Sequence, residues 1–247
     1  MIRYGLIGYP LSHSFSKQYF ARKFAQESIA NTTYDLFPLE NVKEFTGLIE
    51  QHPDLVGLNV TIPYKQQIIS FLDRLDPVAK RIGAVNTIKI NTASGERVGY
   101  NSDYYGFKQS LEPWLSGREV KPALVLGTGG ASKAIVCALQ DLGVAYQYVS
   151  RHASPEVITY EALRADYALT DFSLIVNTTP LGMSPHVDAA PDLAYDQLTA
   201  GQLCYDLVYN PEETLFMTRA ATRAASVKNG LEMLHLQAEK SWEIWRA

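Results

Sequence analysis

Short apolar runs alternate with stretches of helical periodicity along the first hundred residues. The runs are rich in Val, Ile, Tyr and Thr, which is typical of β-strands, and the stretches between them favour helices. Such alternation predicts a mostly parallel α/β sheet, and the turn-like sequence NTASG at 91–95 adds one antiparallel hairpin. The predicted strands cover residues 3–8, 33–37, 57–62, 84–90 and 97–100, and the predicted helices cover 16–27, 42–52 and 65–72.

A second strand–helix series begins after Gly117 and predicts a second domain. Its last segment, residues 231–245, carries apolar residues at steps of 3, 4, 4 and 3, which fit one face of a helix. We expect that helix to pack back on the first domain, so that residues 1–103 and 230–247 form one domain and residues 104–229 the other. The second-series strands are predicted at 123–126, 146–150, 174–177 and 203–208, and the helices at 131–142, 160–163 and 211–225.

Length and composition fit two globular domains and exclude several partners. The chain has 247 residues, 47% of them hydrophobic, which is enough to build real cores. A net charge of −4 without a Lys/Arg cluster argues against nucleic acid as a partner. No apolar run approaches the ~20 residues of a membrane span, and no signal-peptide pattern opens the chain. The only cysteines, Cys137 and Cys204, lie in apolar contexts. We therefore expect a cytoplasmic protein in a reducing compartment, with no metal site and no membrane partner.

A glycine turn follows the first strand of the second series and predicts a dinucleotide site. Gly127 would allow the tight turn, and Gly129 would let backbone N–H groups approach a pyrophosphate at the start of a helix. Gly130 and Ala131 continue into that helix, but the third glycine of the usual pattern is replaced by Ser132. The pattern favours a Rossmann-like domain, although a tight strand–helix turn without a ligand would have the same sequence.

The end of the next strand indicates which dinucleotide would bind. Ser150 and Arg151 stand 21 and 22 residues after Gly129, where an NAD site usually carries Asp or Glu for the ribose 2′-hydroxyl. A guanidinium can instead hold a 2′-phosphate. The sequence therefore favours NADP over NAD, with a solvated loop arginine as the alternative.

Polar residues cluster after successive strands of the first domain. Lys65 stands at the start of a predicted helix, where the helix dipole disfavours a cation, so its position suggests a function. Asn86 could be a turn residue, and Asp103 could cap the helix predicted from Tyr104. Ser14 or Ser16 could cap the helix predicted at 16–27. Together they place hydroxyl, amide, ammonium and carboxylate groups at the carboxyl ends of strands, where open sheets bind ligands.

Eight motifs in this order resemble those of the shikimate dehydrogenase family, and they span nearly the whole chain. The resemblance implies NADPH-dependent reduction of 3-dehydroshikimate to shikimate, a step of aromatic amino acid biosynthesis. The motifs cover residues 14–16, 59–65, 83–87, 101–106, 127–131, 177–183, 206–211 and 230–238.

The resemblance also implies a role for each matching residue. Lys65 and Asp103 match the catalytic pair, and Ser14 and Ser16 match hydroxyls that hold the substrate carboxylate. The groups matching those around the ring hydroxyls and the carboxylate are Asn59, Thr61, Asn86, Gln237 and Tyr209, and those matching the cofactor cleft are Asn177, Thr178, Met183 and Gly230.

Two departures and two rival functions stay open. The family often has a second basic residue after the one at Arg151, and this chain has Pro155 in that region; Ser102 replaces a usual threonine. The first departure weakens the NADP prediction without reversing it. The rivals are an NAD-dependent quinate/shikimate dehydrogenase and a dehydrogenase-like ligand sensor without turnover. Monomer and homodimer are both compatible with the sequence.

Overall fold

Two six-stranded sheets organise the part of the chain that the computed structural model describes, residues 1–11, 14–118 and 120–247. The chain divides into two units, Met1–Ser102 with Ala238–Ala247 and Asp103–Gln237. The sequence-based division placed residue 103 in the first domain and returned to that domain at 230. In the structure, residues 230–237 pack with the second unit because Met233 lies in its core. Ser12 and His13 lie outside the described residues.

The first unit has a mixed sheet, in the order β2-β1-β3-β5-β6-β4. Strands β1, β2 and β3 run parallel, whereas β5 is antiparallel to both β3 and β6, so the predicted hairpin at 91–95 is present. The elements are β1 Ile2–Gly8, α1 Phe15–Gln26, β2 Thr32–Pro38, α2 Phe45–Gln51, β3 Leu55–Val60, β4 Arg74–Leu75, α3 Pro77–Ile82, β5 Thr87–Ile90 and β6 Arg97–Tyr100.

The second unit has a parallel sheet, in the order β12-β11-β10-β7-β8-β9. This order reverses direction between β7 and β10, which is the switch point where doubly wound sheets bind ligands. The predicted α/β class, with a Rossmann-like second domain, is confirmed. The elements that follow β6 are α4 Ser102–Leu115, β7 Ala123–Leu126, α5 Gly130–Asp141, β8 Tyr146–Ser150, β9 Val157–Thr159, α6 Tyr160–Asp166, β10 Leu174–Asn177, β11 Leu203–Asp206, α7 Leu215–Ala221, β12 Ser226–Lys228 and α8 Leu231–Arg246. The last helix, α8, belongs to the first unit from Ala238 onward.

The last helix completes the core of the first unit. Trp242 and Trp245 are buried beside Tyr4 and Phe20, and the Trp245 indole N–H donates to the Ile88 carbonyl at 2.9 Å. A Cβ at Gly57 would lie 2.4 Å from the Trp245 ring, so only glycine lets β3 approach this helix. The amphipathic pattern at the C-terminus therefore becomes a buried helix face.

Several predicted boundaries were wrong, and the helix expected at 65–72 is the most important case. The segment is a 3₁₀ helix, Gln67–Phe71, and Lys65 lies in the turn that precedes it. The turn fixes two anchors in the core, since Tyr64 donates to the Leu39 carbonyl and Ile68 is fully buried. The dipole argument for Lys65 therefore does not apply.

Candidate functional site

Gly127 makes the sharp turn that leaves β7. Its backbone N–H donates to the Val149 carbonyl at 2.8 Å, and its φ of +102° lies in the region that favours glycine. A Cβ there would lie 2.9 Å from Thr178 Oγ1 and 3.0 Å from Thr179 Cγ2. The residue must be glycine because both the backbone conformation and the neighbouring loop exclude a side chain.

The start of α5 presents an open N-terminus. Gly129 is its N-cap residue and makes no side-chain cap, and a Cβ at Gly129 would meet no atom within 4 Å. Gly130 and Ala131, both half-buried, form the first turn. The buried Ser132 hydroxyl donates to the Gly129 carbonyl at 2.7 Å and so stabilises the turn where the usual pattern has a third glycine. A helix N-terminus without a side-chain cap and with open space beside Gly129 fits a pyrophosphate, so the residues present suit a dinucleotide.

The carboxyl end of β10 lies beside this turn. Thr178 donates from Oγ1 to the Leu126 carbonyl at 2.6 Å, which fixes it against the end of β7. Asn177 is fully buried, and its Oδ1 accepts from the Thr179 backbone N–H at 3.1 Å and from the Thr179 hydroxyl at 2.6 Å. The two predicted cofactor residues, Asn177 and Thr178, are thus brought together with Gly127 at the switch point.

Asp206 organises the same region and was not assigned a role from the sequence. Its carboxylate is fully buried and accepts from Asn177 Nδ2 at 2.9 Å, from the Val208 N–H at 3.0 Å and from the Thr214 hydroxyl at 2.6 Å. Burial raises the pKa of Asp206 to about 6, although these three donors act to lower it. The signal in the sequence was an acidic residue closing an apolar strand.

The remaining predicted cofactor residues occupy different surroundings. Ser150 ends β8 and is half-buried, whereas Arg151 is exposed and Met183 is 43% exposed. Gly230 is buried, and a Cβ there would lie 2.2 Å from the Leu207 carbonyl oxygen. Gly230 is therefore required by the packing of the backbone that precedes α8.

Asn59 lies at the centre of a buried polar network in the first unit. Its Oδ1 accepts from the Tyr34 hydroxyl at 2.8 Å, and its Nδ2 donates to Ser241 Oγ at 2.9 Å. Ser241 also bonds to Thr87 at 2.8 Å and to Ser102 at 3.0 Å. These hydroxyls join β3, β5 and the last helix, and sequence reasoning did not predict them.

Asn86 connects this network to the start of α4. Its Oδ1 accepts from the Ser102 N–H at 2.6 Å, and its Nδ2 donates to Ser102 Oγ at 3.0 Å. Asp103 follows directly, in the first turn of α4 and 7% exposed. The helix begins one residue before Asp103, so Asp103 is not the N-cap considered from the sequence. Asn86 therefore fixes the backbone from which the Asp103 side chain projects.

The loop that carries Asn86 also holds the backbone of Lys65. The Val85 N–H donates to the Lys65 carbonyl at 2.7 Å, and the Val60 N–H donates to the Asn86 carbonyl at 2.8 Å. Lys65 is half-buried and Thr61 is half-buried just beyond the end of β3. Two predicted groups, Lys65 and Asn86, are therefore held by backbone hydrogen bonds of the same loop, whereas the Thr61 N–H donates to the Ile7 carbonyl of β1 at 2.9 Å.

The serines and the last two predicted substrate residues lie on other elements. Ser14 is the N-cap of α1 and accepts from the Lys17 N–H at 3.3 Å, and Ser16 lies in the first turn of that helix. Tyr209 is half-buried after β11, and burial raises its pKa. Gln237 is 8% exposed on α8, with its Nε2 donating to the Leu234 carbonyl.

None of the helices in the described residues is both long and apolar enough to cross a lipid bilayer.

Comparisons with known proteins identify the family of this chain. Residues 6–88 match the family described as the shikimate dehydrogenase substrate binding domain. A relative named shikimate dehydrogenase (NADP(+)), from Desulforamulus reducens, is 36% identical over 98% of this chain and 88% of its own length.

Two solved structures extend the similarity to both units. Shikimate dehydrogenase 1 from Peptoclostridium difficile has a TM-score of 0.87 and 36% identity, covering 100% of this chain and 92% of its own. Shikimate 5-dehydrogenase from Thermus thermophilus, solved with NADP(H) and shikimate, has a TM-score of 0.84 and 30% identity, covering 99% of this chain and 93% of its own.

Proposed function

Because this chain belongs to the shikimate dehydrogenase family, we propose that it catalyses the reversible NADPH-dependent reduction of 3-dehydroshikimate to shikimate. The observation that carries the proposal is the glycine turn at the switch point, where Gly127, the open N-terminus of α5 and Asn177 form a dinucleotide-binding edge. The enzyme then contributes to aromatic amino acid biosynthesis in this proposal.

NADPH supplies the hydride when it is bound, and the chain supplies the proton and the charge stabilisation. Lys65 is the proton donor in this proposal, since an ammonium stabilises the negative charge that develops on the ketone oxygen and then protonates it. Asp103 is the carboxylate that orients Lys65. Support comes from the hydrogen bonds of the 84–87 loop, which fix both the Lys65 backbone and the residue preceding Asp103.

The substrate is held by hydroxyl and amide groups in this proposal. Ser14 and Ser16 bind the carboxylate together with Tyr209, and ring hydroxyls are bound by Asn59, Thr61, Asn86 and Gln237. The buried network around Asn59 and Asn86 supports this assignment, because it holds both amides in one orientation. A site built to bond a hydroxyl rejects an analogue that lacks it by about 10⁴-fold or more.

The cofactor is NADP in this proposal, the oligomeric state is monomer or homodimer, and the location is the cytoplasm. The Arg151 guanidinium and the absence of an acidic residue at the end of β8 support NADP. The two buried free thiols, Cys137 and Cys204, support a reducing compartment. Light scattering on the purified protein distinguishes monomer from dimer.

The test is a spectrophotometric assay of NADP⁺ and NAD⁺ reduction, with shikimate and quinate each supplied to both cofactors. We expect the highest kcat/KM for the pair shikimate and NADP⁺. Preference for NAD⁺ with quinate would support the quinate dehydrogenase instead, and no turnover with any pair would support the ligand sensor.

A substitution at Lys65 tests the proton donor. We expect Lys65→Met to lower kcat by roughly 10²–10⁴-fold, the usual contribution of a positioned acid–base group, with a smaller change in KM. The matched control is Lys43→Met, since Lys43 is exposed in a short 3₁₀ helix of the same unit. Comparable turnover in both variants would refute the role of Lys65.

A further inference from the structure

A cavity of about 410 Å³ lies at the carboxyl edge of the parallel sheet, next to the glycine turn. Thr128 lines it from the turn, and Tyr148 lines it from β8. The volume falls within the usual range for small-molecule sites, roughly 300–1,000 Å³. The remaining lining residues are Lys133, Ser154, Pro155, Glu156 and Val157. The cavity therefore has the place and size for the adenosine end of a dinucleotide whose pyrophosphate lies at the start of α5.

The wall formed by residues 154–157 brings no positive charge to this cavity. Pro155 and Glu156 form part of this wall. Glu156 is exposed, and its negatively charged carboxylate disfavours an anionic group nearby. A 2′-phosphate bound in this cavity would need a cation from another element. Among the described residues that line the cavity, Lys133 is the basic one.

The cavity lies on the side of β8 that faces α5, because Tyr148 lines it. Successive side chains of a strand point to opposite faces, and the structure follows this rule along β8. Tyr148 packs on the cluster that contains Leu139 of α5, whereas Val149 packs in the cluster that contains Leu163 of α6.

Lys133 is placed on the cavity side by α5. It lies near the start of that helix, one residue after the buried Ser132 that stabilises the glycine turn. The Ser132 carbonyl accepts from the Tyr148 hydroxyl at 3.4 Å, so α5 and β8 are joined directly beside Lys133. Lys133 is half-buried, so an ion pair with it would be partly shielded from solvent.

We propose that Lys133 binds the 2′-phosphate of NADP in this cavity and provides the cationic partner that the 154–157 wall does not supply. The inference rests on the proposed function, since it concerns the same cofactor. It assigns a specificity-determining role to a residue outside the glycine turn and outside the strand end that the sequence pattern indicates.

The test measures binding of two nucleotides that differ by the 2′-phosphate, adenosine 2′,5′-bisphosphate and AMP, by isothermal titration calorimetry. Lys133→Met keeps most of the alkyl chain and removes the charge. We expect it to weaken binding of the bisphosphate by about 10- to 100-fold, the value of a hydrogen bond to a charged group, and to leave AMP binding within about twofold. Lys133→Arg should retain most of the affinity.

Two further variants extend the experiment. One should change bisphosphate affinity in the opposite direction, and the other is a control. Glu156→Gln removes the carboxylate that faces the cavity, so we expect tighter binding of the bisphosphate and unchanged binding of AMP. Lys121→Met is the matched control, because Lys121 donates to the Thr170 carbonyl at the amino end of β7, at the other edge of the sheet. We expect it to bind both nucleotides as the unmodified protein does.

The outcomes separate this inference from the proposed function. Tight bisphosphate binding by Lys133→Met, or an equal loss of both nucleotides in that variant, would overturn the role of Lys133 while leaving the NADP-dependent activity intact. Equal affinity of the unmodified protein for the two nucleotides would overturn the NADP assignment itself, and the role of Lys133 with it.

Discussion

Replacing Asp206 with asparagine should change how the stability of the second unit depends on pH. The side chain is fully buried, and burial raises its pKa from 3.8 to about 6. The neutral carboxyl is thus favoured in the folded protein. Its contribution to stability is fully present below the unfolded pKa and is lost as the pH rises through the folded pKa.

The size of the effect follows from the two pKa values. A difference of one unit corresponds to 1.36 kcal/mol, so ionisation of Asp206 costs about 3 kcal/mol of unfolding free energy at alkaline pH. About 2 kcal/mol of this loss should fall between roughly pH 4.5 and pH 8. Asp206→Asn removes the titration while keeping the shape. One amide oxygen can still accept from Val208 and Asn177, and the Thr214 hydroxyl can rotate to accept from the new NH₂ group.

Hydrogen exchange of the β11 backbone amides, corrected for the intrinsic rate at each pH, measures the opening free energy of this region. We expect the stability of Asp206→Asn relative to the unmodified protein to increase by about 2 kcal/mol from roughly pH 4.5 to pH 8. The control is Asp166→Asn, because Asp166 is an exposed residue at the end of α6. A difference between Asp206→Asn and the unmodified protein that stays constant with pH would refute this reasoning.

The glycines give predictions that separate folding from cofactor binding. Gly129→Ala should keep the thermal stability of the protein, since its Cβ would meet no atom within 4 Å. It should weaken NADP⁺ binding at least tenfold, because the added methyl group would occupy the space through which the pyrophosphate approaches. Calorimetry and thermal melts together check this, and a stable variant with full affinity would contradict it. Gly230→Ala should instead lower the free energy of unfolding by about 2 kcal/mol or more, because its Cβ would lie 2.2 Å from a carbonyl oxygen. Urea titration measures this loss, and an unchanged unfolding midpoint would contradict the prediction.

The strand ends of the second unit were predictable because each carries a local signal. The apolar runs at 123–126, 146–150 and 174–177 matched β7, β8 and β10, and the glycine turn followed from residue type alone. Strands β9 and β12 were missed because three residues are too few for a periodicity. Helix α3 was also missed, although Asp76 caps it and Pro77 occupies its first turn, and both are local signals of a helix start.

The buried polar networks could not be predicted from the sequence. Asn59 and Ser241 are 182 residues apart, and their hydrogen bond exists only because α8 packs on β3 and β5. Nothing near Asp206 in the sequence shows that Asn177 donates to it from the neighbouring strand β10. Local motifs therefore indicate candidate residues, whereas the partners that orient those residues depend on the tertiary fold.

The most direct test of the central claim is the fate of the nicotinamide hydrogen. NADPH deuterated at C4, prepared separately in each of its two stereochemical forms, is incubated with 3-dehydroshikimate, and the product is analysed by mass spectrometry. We predict shikimate that carries one deuterium from one of the two forms and none from the other. Unlabelled shikimate from both forms, or no shikimate at all, would contradict direct hydride transfer by this protein.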